Sequence, residues 1–194
     1  MWLTALVDRK NTVPAMRYKS NDGRAWHERS GVVDIRGMVR MPYEVRWARA
    51  EEWTPTIRMI WATFVKYEGR DYTEEGIRKF FEFITDESLY TSFLEGEYRL
   101  MVALDGRKII GAGSVRDKNR LSLLFVDEAY QHRGVGSTIL MNLCNYLKTE
   151  AGERYISLQA APYAVNFYRK QGFRAVHPEV EFSGIRVTPM EKVF

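Results

Sequence analysis

Hydrophobic positions follow two rhythms along the chain, and the switches between them mark out the elements. In YEVRWAR, residues 43–49, Tyr43, Val45 and Trp47 alternate with charged neighbours, which predicts a half-buried strand. In TPTIRMIWATFVKYEG, residues 54–69, Ile57, Ile60, Trp61, Phe64 and Val65 recur at helical spacing and predict one apolar helix face. Thr54 is placed to cap that helix, Pro55 suits its first position, and Gly69 is the expected stop. A second helix is expected from Thr73, with Ile77, Phe80, Phe81 and Ile84 on one face. A short third helical piece should hold Leu89 and Phe93.

Past residue 97 the period changes to that of strands. YRLMVALDGRKIIGAGSV reads as two strands joined at Asp105-Gly106, both of which tolerate positive φ. LSLLFV, residues 121–126, is almost continuously apolar and predicts a strand buried on both faces. A helix follows, because Val135, Ile139, Leu143 and Leu147 recur every four residues with Leu140 and Cys144 beside them. YISLQA is a further strand, AVNFYRKQGF a short helix ending at Gly172, and two strands flank Ser183-Gly184. The predicted order is β-αα-βββ-α-β-α-ββ, an α/β (α+β) domain over residues 43–194. Residues 1–42 show little periodicity: YKSNDGRAWHERSG is polar and turn-rich, and VVDIRGMVRM holds a short strand. This part reads as an irregular basic extension, and Met38 and Met41 stand where an internal start would remove it.

Charge sharpens this division. Residues 1–42 carry eight Lys/Arg against four Asp/Glu, which accounts for the whole net charge of +4 and leaves the domain neutral. A neutral body argues against a nucleic-acid partner, which would need a basic face on the folded domain. The apolar runs are far shorter than the roughly 18 residues of a membrane span, and MWLTALV lacks the flanks of a signal peptide. A single cysteine, Cys144, excludes an internal disulfide framework and reads as a buried structural thiol. A cytoplasmic protein is expected, with no membrane partner. His27, His132 and His177 are scattered without metal-ligand spacing, so no metal is expected.

The stretch QHRGVGSTIL, residues 131–140, sets Gly134 and Gly136 where a helix begins, although glycine in a helix costs roughly 1 kcal/mol relative to alanine. Two explanations fit. Bare backbone would let a phosphate reach the unpaired N–H groups of a helix N-terminus, or it would let the helix lie close to a strand. Arg133, Ser137 and Thr138 could add donors to the first arrangement, while Gln131 and His132 would shape the turn. The Gly-Lys-Ser/Thr of a Walker loop is absent, and a dinucleotide fingerprint would need glycine where Ile139 stands.

The strand LLFVDEAY, followed by Gln131-x-x-Gly134-x-Gly136 and a helix, resembles the acetyl-CoA-binding motif of the GNAT acyltransferase superfamily. NFYRKQGF, residues 166–173, resembles that family's later motif. The resemblance covers roughly residues 43–194 and implies a mixed central sheet flanked by helices, with acetyl-CoA as co-substrate. Phe125 and Val126 would then bond the pantetheine arm through their backbone, in a gap between splayed fourth and fifth strands. The segment Gln131, His132, Arg133, Gly134, Val135, Gly136 and Ser137 would cradle the diphosphate, and Asn166 would reach the cofactor. Tyr168 would stand near the sulfur and protonate the leaving thiolate.

The implied reaction moves an acetyl group to a primary amine on a small molecule or a protein, in a monomer or homodimer. No obvious base accompanies these residues. Glu82, Asp127, Glu128 and Glu181 are the carboxylates considered, with deprotonation through water as the other route. The missing base keeps a second expectation in place, a non-catalytic acyl-CoA-binding regulatory module. Tyr67 and Tyr72, near the turn between the first two helices, are candidates for lining an acceptor pocket.

Overall fold

A computed structural model describes residues 43–67, 72–182 and 185–194, together with the backbone of four short strands ahead of them. Those four form two antiparallel pairs, Arg17–Lys19 with Trp26–Glu28 and Val32–Val33 with Val39–Arg40. The stretch read as one short strand therefore contains a pair. The rest of the extension, the stop at Gly69 and the turn at Ser183-Gly184 lie outside the described residues.

The domain runs β1 (Glu44–Trp47), α1 (Trp53–Tyr67), α2 (Glu74–Ile84), α3 (Glu87–Glu95), β2 (Arg99–Asp105), β3 (Lys108–Arg116), β4 (Arg120–Val126), α4 (Val135–Thr149), β5 (Tyr155–Ala160), α5 (Val165–Lys170), β6 (Arg174–Ala175), β7 (Val180–Phe182) and β8 (Ile185–Val193). The sheet order is β6-β8-β5-β4-β3-β2-β1, with β7 paired to β8. Neighbours are antiparallel except for the parallel pair β4–β5. The predicted order of elements is present, with the two-residue β6 added before the final hairpin.

Two local expectations are corrected. Helix α1 does not start behind Thr54. A 3-10 turn over Ala50–Glu52 leads directly into Trp53. The carboxylate of Glu52 accepts the Arg49 N–H at 2.8 Å and is clamped by both guanidinium nitrogens of Arg46 at 2.8 and 2.6 Å. Pro55 therefore falls inside the first turn, where its missing N–H costs nothing. At the first hairpin Asp105 pairs with Lys108, so the turn residues are Gly106 and Arg107, and only Gly106 has positive φ, at 59°.

Helices cover both faces of the sheet. On β3, Gly111 and Gly113 turn toward α4, where Val135, Ile139 and Leu143 lie against them. Alternation sends Ala112 to the opposite face. Its partner on β4, Phe125, lies 5.9 Å from the ring of Phe80 on α2, which in turn stacks on Phe64 of α1 at 4.0 Å. Strand β4 is buried from Leu121 to Val126, as its continuous apolar run requires.

Strand β4 also carries an irregularity. Ser114 pairs with Leu123 but Val115 pairs with Leu121, so Ser122 is an extra residue on β4. Such a bulge bends its strand. The ladder between β4 and β5 consists of one pair, Arg120 opposite Ser157, supported by the Ser157 N–H on the carbonyl of Asn119 at 3.0 Å. From the bulge onward no backbone pairing joins the two strands among the described residues, and the sheet opens.

Candidate functional site

The C-terminal end of β4 delivers the chain to the open side of the sheet. The Asp127 N–H bonds the carbonyl of Ile110 on β3 at 2.9 Å. Backbone groups alternate in direction along a strand, so those of Val126 point the other way, toward β5. The Val126 carbonyl there accepts the side-chain amide of Gln131 at 3.0 Å, which draws the following loop against the strand end. A 3-10 turn over Glu128–Tyr130 comes first, opened by Asp127, whose carboxylate accepts the Ala129 N–H at 2.9 Å. Lys108 pairs with the same carboxylate at 2.9 Å. The guanidinium of Arg133 and the ammonium of Lys108 both lie over the ring of Tyr130, at 5.5 and 4.9 Å.

The loop then enters α4 through left-handed backbone, with φ of 60° at His132 and 81° at Gly134. A Cβ at Gly134 would meet the Tyr43 hydroxyl only at an ordinary 3.8 Å. Conformation, not space, is what asks for glycine there. No side chain caps this helix. Gly136 is buried in the first turn. The tight helix–strand approach is provided from the strand side: a Cβ on Gly113 would lie 2.6 Å from Ile139 Cγ2, and one on Gly111 would lie 2.9 Å from Val135 Cγ1. These two strand glycines were not singled out in the sequence, where they read only as ordinary members of GAG.

Two further side chains reach the first turn of α4 from distant parts of the chain. The Thr138 hydroxyl donates to the Gly134 carbonyl at 3.0 Å, so at 3.1 Å it accepts from the phenol of Tyr43. Burial pushes the Tyr43 phenol up, against a smaller opposing effect of Thr138, which keeps it a donor. The amide of Gln171, just past α5, donates to Ser137 Oγ at 3.1 Å. Neither Tyr43 nor Gln171 carries a sequence signal for this place, since one reads as an apolar strand position and the other as a solvated helix end.

Helix α5 follows a 3-10 turn at Pro162–Ala164. It buries Tyr168 completely, edge-on to Phe167 at 5.1 Å and Phe173 at 5.4 Å, while Asn166 is exposed. The four candidate carboxylates are not gathered. Asp127 is held by Lys108, and Glu128 by Lys66 and Tyr67. Glu82 pairs with Arg78 one turn away at 2.7 Å, and Glu181 is exposed on β7 opposite Arg186. The two tyrosines separate as well. Tyr72 meets Phe64 edge-on at 5.1 Å. Tyr67 lines a cleft of about 300 Å³ between α1 and the start of β3, with its phenol pushed up to about 12, first by desolvation and then by Glu128. Cys144 is buried, and burial raises its thiol. Among the described residues no group of His, Cys, Asp or Glu is arranged to hold a metal, and no helix is long and apolar enough to cross a membrane.

A sheet that parts beside an uncapped helix N-terminus can take an extended chain into the gap and an anion at the helix. This is the architecture of acyltransferases that use a coenzyme thioester. Residues 68–194 match the family described as the acetyltransferase (GNAT) domain, and the chain belongs to that family. Over 92 residues it is 35% identical to the uncharacterized N-acetyltransferase YjcF of Bacillus subtilis (strain 168), a match spanning 46% of this chain and 64% of that relative's length. Among solved structures it is similar to a GCN5-related N-acetyltransferase from Rhodopseudomonas palustris, with TM-score 0.68 and 23% identity over 81% of this chain and 99% of that one. It is also similar to the PaiA N-acetyltransferase of Thermoplasma acidophilum in complex with coenzyme A, with TM-score 0.66 and 19% identity over 78% and 99% of the two chains.

Proposed function

We propose that the chain transfers an acetyl group from acetyl-CoA to a primary amine carried by a small molecule or a protein. The observation that carries this reading is the single-pair ladder between β4 and β5, opening beside the uncapped start of α4. The catalytic domain is taken as residues 43–194, since β1 completes the sheet edge on β2. It works in the cytoplasm, where Cys144 stays reduced, as a monomer or homodimer.

The pantetheine arm would lie along β4. Alternation assigns the gap side to Val126 and Leu124 and leaves Phe125 to contribute its buried ring. The N–H groups from Gln131 through Ser137 would hold the diphosphate, with Asn166 reaching it from α5. Acetyl-CoA supplies the activated acyl group. The amine attacks as the neutral base, a C–N bond forms, and the C–S bond breaks. The Val126 N–H stabilises the charge gathering on the acyl oxygen. Tyr168 gives its proton to the departing thiolate and is reprotonated from solvent. Among the described residues no carboxylate or imidazole is buried, so the ammonium proton leaves through water. That same observation favours a second reading, a non-catalytic module that only binds acyl-CoA.

Calorimetric titration with coenzyme A tests the groove, and absence of saturation would refute both readings. Thiol release from acetyl-CoA with a panel of amines separates them. With an accepted amine in hand, Tyr168→Phe should lower kcat about 100-fold and leave coenzyme affinity within about twofold; unchanged turnover removes Tyr168 from the chemistry.

A further inference from the structure

We propose that Gln171 is a positioning residue for recognition of the coenzyme diphosphate, acting through Ser137. The inference rests on the reading above, in which the first turn of α4 receives that anion.

A serine hydroxyl has one hydrogen and two lone pairs, and its usefulness to an anion depends on where the hydrogen points. Within the first turn of α4 the two hydroxyls are set in opposite senses. Thr138 turns its hydrogen back onto the Gly134 carbonyl at 3.0 Å. Ser137 receives a donor instead, the side-chain amide of Gln171 at 3.1 Å. With one lone pair taken by an incoming N–H, the Ser137 hydrogen is directed away from Gln171 and is available to a ligand oxygen. Both residues are half-buried, which limits competition from water.

The donor is itself fixed in place. The Gln171 N–H bonds the carbonyls of Phe167 and Tyr168 at 3.1 and 3.0 Å, and the Phe173 N–H closes on Tyr168 at 3.0 Å. Gly172, with φ of 88°, ends the helix immediately afterwards. The side chain of Gln171 therefore leaves from a locked helix terminus, the one that carries Tyr168. The bond to Ser137 joins residues 34 positions apart and ties α5, beyond the opening between β4 and β5, to the helix that begins on its near side.

The test compares coenzyme A with pantetheine, which lacks the diphosphate, by calorimetry and by displacement. Gln171→Leu should raise the Kd for coenzyme A by about 3- to 10-fold and leave that for pantetheine unchanged. Gln171→Glu should raise it more, because a carboxylate has no N–H to give, draws the Ser137 hydrogen toward itself and repels the anion. In a Ser137→Ala background Gln171→Leu should add nothing further. Equal losses for both ligands, a loss that persists without the Ser137 hydroxyl, or no loss would overturn the proposal. Should the leucine variant not fold, Gln171→Met keeps the length and removes the amide. A wild-type protein that takes up no coenzyme A would refute the underlying reading instead, and that control is read first.

Discussion

Helices α2 and α4 begin in opposite ways. Thr73, in extended backbone at φ −70° and ψ 158°, caps α2 by accepting the Gly76 N–H at 3.1 Å. Asp86 does the same for α3 with the Ser88 N–H at 2.7 Å, and the Glu52 carboxylate closes the turn ahead of α1. Helix α4 begins at left-handed Gly134 with no side-chain cap. The first three satisfy donors that every helix leaves unpaired. The fourth keeps its donors and their positive field facing outward, beside a strand edge that is also unpaired. Helix α5 also starts without a side-chain cap, running on from a 3-10 turn, so the missing cap on α4 takes its meaning from its place beside the opened sheet.

That contrast can be broken most forcefully at Gly134. Gly134→Asp places a carboxylate at the mouth of α4, where it repels a diphosphate, and at φ 81° it strains the entry loop by about 1 kcal/mol as well. The Kd for coenzyme A should rise about 100-fold, measured by calorimetry, while the protein stays folded by circular dichroism. The second intervention moves the helix instead of its cap. Gly113→Ala drives a Cβ toward Ile139 and Leu143, at 2.6 and 3.1 Å before relaxation. It should cost about 1–3 kcal/mol in denaturant unfolding and weaken coenzyme binding as α4 shifts.

On the capped side, Thr73→Ala should cost about 1 kcal/mol of stability and leave coenzyme affinity unchanged. A comparable loss of affinity would mean that the two helix starts are not separate in function. The smallest effect is expected at α1. The hydrogen bonds of Arg46 hold the Glu52 carboxyl below its usual range, opposed by partial desolvation and helped by the Arg49 N–H. Its folded value is depressed, so the stabilisation is complete above the ordinary carboxylate value and is lost as pH falls through the lower folded one. Wild type should therefore exceed Glu52→Gln in stability by about 1 kcal/mol near neutrality, and the gap should begin to narrow as pH falls below the ordinary carboxylate value of about 4.3 and close below the lower folded one, as followed by Tm against pH.

Much of the fold was legible because it follows from short-range rules. The alternation at Tyr43–Trp47 and the doubly buried run at 121–126 appear where they were expected, whereas the expected apolar faces of α1 and α2 are corrected in part, since Val65 and Phe81 are exposed and Phe83 is buried beside Phe80 and Ile84. The misreadings are also local. Thr54 lost its cap to Glu52 because Arg46, six residues back, holds that carboxylate in place. The Asp105-Gly106 turn slipped by one residue because Asp105 pairs in the ladder. In the segment 131–137 the sequence marked the left-handed entry to α4 with Gly134, while the left-handed backbone at His132 carried no such mark.

The sequence alone determined the elements, their order and the bare start of α4, because each depends on neighbours within a few positions. Only the tertiary structure decided what surrounds that start. Gly111 and Gly113 become the surface against which α4 lies, Ser122 becomes the bulge at which β4 leaves β5, and Tyr43 and Gln171 arrive from 95 and 34 positions away to bond its first turn. Such contacts are set by how all the layers pack at once, and no periodicity along the chain encodes them.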